Sequence, residues 1–515
     1  MKEFLLRHRT SSRLAFVLQT ATRIASAALS LLWIRLILHI LGASLYGQFS
    51  SFLAASSLGG LGDFAMGSAV GLTASQILSE GDRPKLARFL AVARGLFLIL
   101  IAASSLLWLV LAPFLPRLLG FSPVPGSGSL TLLFMLCAPA TAACILNSYV
   151  SNLNYAAVNV TWPIIPIFLA GQLTLAGQYF AARCGAPLWV QFTPYIICGF
   201  GGIFAAWLMV KSAEPAMAKI WPISFAWSEA APLLARSGWI YLVAVSAYIY
   251  LSTDRLLINA ALGPALLPSY QLNYKACELI LFTIAAASYV TMPKITRWLA
   301  ATDEPTRQRA LKESVLLNNV ISFAGSAAAI IYLGLNDIFV YLWLGPKFQA
   351  PLLWQAAFAA NLAITTACTV SMELCTRSGD DGPAAAGKGA ALSAVLNLAL
   401  SGIAITAWHS PLGVALATVI AQCFQALYTG WHATGRLALQ RGKWFANIIL
   451  WPLLSIAAAA ALRIGASGRT EFGLAIYFAG SVIIIFALAR AYGIDRDMIM
   501  REWNMLVSKA PPTQS

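Results

Sequence analysis

The chain has 515 residues, of which 59% are hydrophobic and 10% are charged. A soluble globular protein carries about 25% charged residues, so one large water-soluble core is excluded. The composition is instead that of a polytopic membrane protein. The net charge of +15 would also suit a nucleic-acid-binding protein, but the distribution of the charges described below excludes that class.

Fourteen segments are long and apolar enough to cross a membrane as helices of about 20 residues. The first is too long for the core of a signal peptide, about 7–15 residues, and lacks a small-residue cleavage site. We therefore predict an all-α polytopic membrane protein with about fourteen transmembrane helices, the first of them retained. The predicted spans are 14–41, 46–72, 89–113, 129–150, 161–181, 188–210, 231–257, 269–292, 313–335, 350–376, 384–406, 411–431, 446–463 and 472–490.

The basic residues predict the orientation. With the N-terminus in the cytoplasm, 23 lysines and arginines lie in the inside loops and tails or near the span ends that border them, and 5 lie in or beside the outside loops. Loops that stay in the cytoplasm carry the excess of Lys and Arg. The sequence therefore predicts that both termini are cytoplasmic. The basic excess reports orientation and gives no reason to expect a nucleic-acid partner.

Two outside connections resemble each other. Leu41–Phe49 reads LGASLYGQF after the first span, and Leu262–Gln271 reads LGPALLPSYQ after the seventh. A match six helices apart on one side of the membrane is typical of a parallel duplication, whose substrate site commonly lies between the halves. We predict a six-helix lobe over 1–213, a second over 214–440, and two extra helices with a short tail over 441–515.

Several classes of site are not supported by the sequence. The eight cysteines include no CxxC pair, and the four histidines are scattered without metal-ligand spacing. No GxxxxGK[ST] phosphate loop occurs. We therefore predict neither a metal nor a cofactor, and no nucleotide-driven pump.

Four stretches resemble polysaccharide repeat-unit flippases of the Wzx (O-antigen) type. They are LGASLYGQFS (41–50), LGDFAMGSAV (61–70), STDRLLINAALG (252–263) and SYQLNYKACE (269–278). That family belongs to the multidrug/oligosaccharidyl-lipid/polysaccharide (MOP) exporter superfamily, with MATE drug/cation antiporters and lipid II flippases. The resemblance covers nearly the whole chain in its order of helices and loop lengths.

The resemblance implies two six-helix lobes in a V shape around a central cavity. It implies flipping of an undecaprenyl-pyrophosphate-linked oligosaccharide from the cytoplasmic to the periplasmic leaflet of the inner membrane, for surface polysaccharide synthesis. A polysaccharide polymerase and chain-length machinery are then candidate partners, besides the membrane lipids.

Four charged residues lie deep in predicted spans. Arg23 is about 13 Å into the first, Asp63 is deep in the second, and Lys275 and Glu278 are about 10–14 Å into the eighth. In one interpretation they neutralise each other, as Asp63 with Arg23 or Glu278 with Lys275, and only fix packing. In the other they line a water-filled cavity and meet an anionic substrate, because intramembrane ionisable groups commonly serve function.

Other candidates lie nearer the ends of the spans. Arg35 is about six residues from the outer end of the first span, and Asp254 and Arg255 are near the outer end of the seventh. Because Asp254 and Arg255 are adjacent, they point to different faces. Arg94 lies near the cytoplasmic end of the third span, where it can snorkel to the headgroups or line the cavity.

A sugar headgroup also needs hydrogen bonds and aromatic faces. Asn152, Asn154, Tyr155, Asn273 and Tyr274 are candidates for these contacts, and simple packing is the alternative.

Three other functions remain in view. A MATE-type cation-coupled antiporter would use Asp63, although Arg23 would repel a cationic drug. A lipid II flippase would share the cationic cavity and differ in headgroup selection. A membrane glycosyltransferase or polymerase is least supported, because the outside loops are short and nearly uncharged, so we predict a transporter and no enzyme.

Overall fold

A computed structural model describes residues 12–157, 162–299, 303–377, 381–466 and 471–494. Seventeen α-helices account for most of these residues, and no strand occurs in the described ranges. The helices are α1 Ser12–Ser57, α2 Met66–Glu80, α3 Arg83–Leu111, α4 Leu115–Leu118, α5 Leu130–Met135, α6 Cys137–Ala156, α7 Ile164–Arg183, α8 Leu188–Ala213, α9 Trp227–Leu262, α10 Leu267–Leu299, α11 Glu304–Leu344, α12 Leu352–Arg377, α13 Gly382–Trp408, α14 Pro411–Leu437, α15 Arg441–Phe445, α16 Trp451–Gly465 and α17 Glu471–Ala491.

The prediction of an all-helical, multi-pass membrane protein is confirmed. Among the described residues, twelve helical segments are long and apolar enough to cross a membrane. The first of them, Ala21–Leu78, has 58 residues, which at 1.5 Å per residue is far longer than a hydrocarbon layer of about 30 Å. It therefore contains two of the predicted spans. The predicted eighth span coincides with α10, whose side chains are described only in part.

A glycine separates the first two spans. Gly42, inside α1, has φ 70° and ψ 171°, which interrupts the helix. Gly263, at the end of α9, has nearly the same conformation, with φ 86° and ψ 162°. Side chains disfavour this region of backbone space, whereas glycine enters it without steric cost. The two Leu-Gly connections that look alike in sequence therefore also turn alike, as a duplication predicts.

The second predicted span is broken along its length. After Ser57 the chain forms a 3-10 helix over Leu58–Asp63. Phe64 and Ala65 then adopt left-handed conformations, with φ 50° and 57°, before α2 begins at Met66. Non-glycine residues in this region cost of order 1 kcal/mol each. The break therefore needs compensating contacts from the surrounding residues.

Contacts divide the chain into two compact units, Met1–Pro268 and Ser269–Ser515. In the first unit, α6 packs against α2, α3 and α8, while α1 packs against α7 and α9. One buried cluster joins α2, α3, α6 and α8. A second is built around Phe52, whose ring meets Phe134 and Phe192 edge to face. The predicted lobe boundaries after 213 and 440 remain predictions.

In the second unit, α12 is central. It packs against α11, α13, α14 and α16, and α17 packs against α11 and α16. Small residues allow close approach of these helices: an ideal Cβ at Gly325 of α11 would lie 1.7 Å from Thr366 Oγ1 of α12. Close contact through small residues is typical of helices packed within a membrane.

A buried ion pair joins α16 to α11. Arg463 Nη2 lies 3.4 Å from Asp337 Oδ2, and the two side chains are 5% and 15% exposed. Gln355 Nε2 donates to Asp337 Oδ1 at 2.7 Å. Asp337 lies two residues past the predicted span 313–335, and Arg463 is the last residue of the predicted span 446–463. Both helices extend past the predicted spans and bury their ends against each other.

This pair generates a stability prediction. Asp337→Leu leaves Arg463 buried without its counter-charge, which in proteins costs about 3–5 kcal/mol. The double variant Asp337→Leu/Arg463→Met removes both charges and should recover most of the loss. Thermal unfolding of the detergent-purified protein measures both. A double variant no more stable than the single would contradict this account of the pair.

Candidate functional site

Two arginines of α1 are exposed. Arg23 and Arg35 both present their side chains at the surface of an otherwise mainly apolar helix. Twelve residues separate them, about 18 Å along the axis and about 120° around it. Arg35 shares a stripe of exposed positions with Ile24 and Leu32, at spacings of three, eight and eleven residues that place all three on one helical face. Arg23 lies outside that stripe.

The rest of α1 is fixed against α7. Gln172 Nε2 donates to Ser26 Oγ at 3.5 Å, and the rings of Trp33 and Tyr179 lie 5.6 Å apart. These contacts lie between the two arginines along the helix. They therefore hold the backbone of this stretch of α1, so that the two guanidinium groups project from a supported helix.

Asp63 lies at the break before α2. Its Oδ1 accepts a hydrogen bond from Ala65 N at 3.0 Å, and its Oδ2 accepts one from Ser148 Oγ of α6 at 2.5 Å. The carboxylate is half-buried and stands at the N-terminus of α2, where the helix dipole favours a negative charge. Asp63 therefore supports the strained backbone of the break and ties it to α6.

Asp254 and Arg255 lie on α9 within the first unit. Asp254 is 7% exposed, whereas the side chain of Arg255 is half-buried. The predicted difference between their faces is confirmed. The carbonyl of Arg255 accepts a hydrogen bond from Ser51 Oγ of α1 at 3.3 Å, which ties α9 to α1 at this level.

Lys275 and Glu278 form the predicted pair on α10. Lys275 Nζ lies 2.7 Å from Glu278 Oε2, and the side chains are 21% and 17% exposed. The pair belongs to the second unit, while Arg23, Arg35, Asp63, Asp254 and Arg255 belong to the first. Partial exposure leaves both groups accessible, although much of their charge is already neutralised.

Two of the predicted sugar contacts are used for packing instead. Asn154 donates to the carbonyls of Val150 and Ala206. Asn273 is fully buried and donates to the carbonyls of Ser269 and Phe348. Tyr155, by contrast, is 69% exposed. Asn154 therefore joins α6 to α8, and Asn273 supports the irregular backbone at Phe348.

Arg94 corrects a prediction. Its side chain neither snorkels nor lines open space, because it is 9% exposed. Its Nε donates to the carbonyl of Pro222 at 3.0 Å and its Nη1 to that of Lys219 at 2.7 Å. The bonded segment is the connection between α8 and α9. Since the partners are backbone carbonyls more than 120 residues away, no side-chain pattern in the sequence signals this contact.

Metal chemistry finds no support in the described ranges, in which no cluster of three His, Cys, Asp or Glu side chains could hold an ion. All eight cysteines are free, and Cys184 alone among them is exposed. Most therefore act as small packing residues, as their apolar surroundings predict.

The arrangement of the helices matches known transporters. A lipid II flippase MurJ in an inward closed conformation superposes with a TM-score of 0.67 at 16% identity, over 94% of this chain and 100% of that one. This chain has the fold of MurJ. A point mutant of the Vibrio cholerae MATE transporter VcmN gives a TM-score of 0.58 at 14% identity, over 83% of this chain and 98% of that one.

A eukaryotic MATE transporter, AtDTX14, gives a TM-score of 0.55 at 13% identity, over 88% of this chain and 99% of that one. MurJ and the MATE transporters are members of the MOP superfamily. No family model matches the sequence, and no curated protein matches it. At such low identities the likeness establishes the fold and leaves the cargo open.

The contacts of Asp63 lead to a second prediction. Asp63→Ala should destabilise the protein by about 1–2 kcal/mol, as loss of a helix-capping acceptor does, because the amide of Ala65 loses its partner. Asp63→Asn keeps one carbonyl acceptor and should cost less. Thermal unfolding measures both losses. Ser148→Ala is measured beside them, because it removes only the hydrogen bond to Asp63 Oδ2. Equal stability of Asp63→Ala and the unaltered protein would rule out the supporting role.

Proposed function

We propose that this protein is a transporter that flips an undecaprenyl-pyrophosphate-linked oligosaccharide across the cytoplasmic membrane for surface polysaccharide synthesis. In this proposal both termini lie in the cytoplasm, and the cargo moves from the cytoplasmic to the periplasmic leaflet. The observation that carries the proposal is the exposure of Arg23 and Arg35 on an apolar membrane helix.

Placing an arginine side chain in the hydrocarbon of a membrane is energetically unfavourable. An arginine in hydrocarbon costs at least about 2.5–3.5 kcal/mol, so two on one helix call for a compensating role. Pyrophosphate is the fixed anionic feature of the proposed cargo, and it loses much of its hydration on crossing. The guanidinium offers a planar fork of donors that matches phosphate oxygens.

The two arginines are assigned different roles. A separation of about 18 Å and about 120° prevents them from gripping one phosphate together on a straight helix. Arg23, near the middle of its span, is proposed to meet the pyrophosphate. Arg35, near the outer end, is proposed to line the exit or anchor to headgroups there.

Lys275 and Glu278 are proposed as a second polar position. Their short ion pair and partial exposure suit a group that exchanges an internal partner for an anionic ligand. Asp63, Asp254 and Arg255, all of the first unit, are proposed to shape the path of the cargo there. Their described contacts support helix packing first, so we assign them a subsidiary part.

The extent of the structural match favours a flippase over a MATE-type antiporter. VcmN is matched almost completely, yet 17% of this chain lies outside that match. MurJ matches 94% of this chain. MurJ therefore accounts for more of this chain than either MATE transporter does, since AtDTX14 covers 88% and VcmN 83% of it.

Lipid II transport is the second candidate, because MurJ is the neighbour with the TM-score of 0.67. The two cargoes share the undecaprenyl pyrophosphate and differ in the sugar. Extraction of lipid-linked sugars from a strain lacking the gene separates them. Accumulated oligosaccharide repeat units support the proposal, accumulated lipid II supports the second candidate, and unchanged lipids with increased sensitivity to cationic drugs support an antiporter.

The role of Arg23 gives a third prediction. Arg23→Ala should lower surface polysaccharide roughly tenfold in the complemented deletion strain, the effect of losing a charge-assisted hydrogen bond. Arg23→Lys should retain an intermediate amount, because lysine keeps the charge without the planar fork. Immunoblots must show normal protein levels.

Arg183→Ala is the matched control. Arg183 is also an exposed arginine, at the end of α7, where its Nη1 contacts Tyr179. This variant should behave as the unaltered protein does. Full complementation by Arg23→Ala would refute the proposed phosphate contact.

The Lys275–Glu278 pair gives a fourth prediction. The exchange Lys275→Glu/Glu278→Lys keeps an ion pair three residues apart on the same helix face. If Lys275 meets the cargo, the exchange should lower transport as much as Lys275→Ala does, because the cation moves by one turn. Recovery of full surface polysaccharide in the exchanged variant would show instead that the pair only stabilises α10.

A further inference from the structure

The connection between α8 and α9, residues 214–226, is an irregular segment held tightly to the first unit. Arg94 donates hydrogen bonds to the carbonyls of Lys219 and Pro222. The indole Nε1 of Trp207 donates to the carbonyl of Ala218 at 3.2 Å. Arg83 forms a salt bridge with Glu214. We call residues 214–226 the connecting segment.

The connecting segment also lies directly on α3. Ser224 N donates to the carbonyl of Ala91 at 2.9 Å. An ideal Cβ at Gly95 would lie 2.0 Å from the carbonyl oxygen of Ser224, so this approach requires a glycine at that position. Met217 and Ala218 are buried in the core of the first unit. The connecting segment is therefore packed and hydrogen-bonded as part of the first unit.

The outward side of this element is strongly apolar. Ile220, Trp221 and Phe225 are 60%, 70% and 66% exposed, and Trp227, which begins α9, is 65% exposed. Two lysines flank the aromatic side chains: Lys219 within the segment and Lys211 in the last turn of α8, both exposed. Lys211 Nζ lies 5.6 Å from the centre of the Trp207 ring.

The length of α3 gives the depth of this surface. Ala91 precedes Leu111, the last residue of α3, by twenty residues, which is about 30 Å and equals the thickness of a hydrocarbon layer. With Leu111 at one boundary of the membrane, Ala91 and the bonded Ser224 lie at the other. Tryptophan and other aromatic residues concentrate at this boundary. Irregular backbone is tolerated there because the protein satisfies its polar groups.

We propose that the connecting segment and Trp227 form a phospholipid-binding surface. Ile220, Trp221, Phe225 and Trp227 insert at the boundary between headgroups and acyl chains, and Lys211 and Lys219 bind anionic headgroups of the same leaflet. Arg94 is the positioning residue that holds the backbone so that these side chains face the lipid. The proposal does not depend on the identity of the transported cargo.

Depth measurements by spin labelling test the surface. The full-length protein, with Cys184→Ser to remove the exposed thiol, is labelled at Trp221→Cys and reconstituted in phosphatidylglycerol vesicles. Oxygen partitions into the bilayer and a nickel chelate stays in water, so we expect the label to favour collisions with oxygen. A label at Glu80→Cys is the matched control, because Glu80 is exposed at the end of α2, three residues before α3 begins at Arg83, which lies about 12 Å along α3 from Ala91. The label at position 80 should collide preferentially with the nickel chelate. A label at position 221 that favours collisions with the nickel chelate, as the control does, would overturn the proposal and indicate a water-facing surface.

Two variants test the other parts. In phosphatidylcholine vesicles the label should lie measurably shallower than in phosphatidylglycerol, and Lys211→Gln/Lys219→Gln should abolish that difference. The same depth in both lipids would overturn the assignment of anionic headgroups. Arg94→Lys retains one of the two carbonyl contacts and should increase the mobility of the Trp221 label several-fold. Unchanged mobility would overturn the positioning role of Arg94.

Discussion

Backbone polar groups have no water to bind inside a bilayer, so each must find a partner within the protein. In this chain the long helices satisfy most of them, and the interruptions show where additional partners are needed. Gly42 turns the chain where α1 leaves its first span. Asp63 accepts a hydrogen bond from the amide of Ala65 at the second break. Arg94 donates hydrogen bonds to two carbonyls of the connecting segment. Charged side chains therefore serve the backbone at the places where it departs from a helix.

The same constraint separates the basic residues into two groups. Arg94 and Arg463 are buried, and their donors are directed to backbone carbonyls or to Asp337. Such contacts offset the desolvation of the charge. Arg23 and Arg35 are exposed on a membrane helix. Exposed guanidinium groups can reach an external anion, which is why the proposed cargo contact rests on them.

The class of fold could be predicted from the sequence because hydrophobic length is a local property. Within the described ranges the predicted spans fall on helices, although the second span is interrupted over 58–65. The similarity of the two Leu-Gly connections reappears as matching backbone angles at Gly42 and Gly263. Pairing of Lys275 with Glu278 was likewise predictable, since three residues of one helix fix the geometry. The end of α11 was placed too early, because the helix continues nine residues past its predicted span to Leu344 and carries Asp337 to Arg463 of α16.

The sequence by itself determined that the chain crosses the membrane many times, and it predicts that Arg23, Asp63, Lys275 and Glu278 lie deep in the spans. Both inferences depend only on the residues of a short stretch of chain, through its composition and its helical spacing. Only the tertiary structure decided which charges are consumed by packing. Arg94 meets carbonyls at positions 219 and 222, and Asp63 meets a hydroxyl at position 148. These partners are distant in sequence, and a backbone carbonyl leaves no signature in the residue type that carries it.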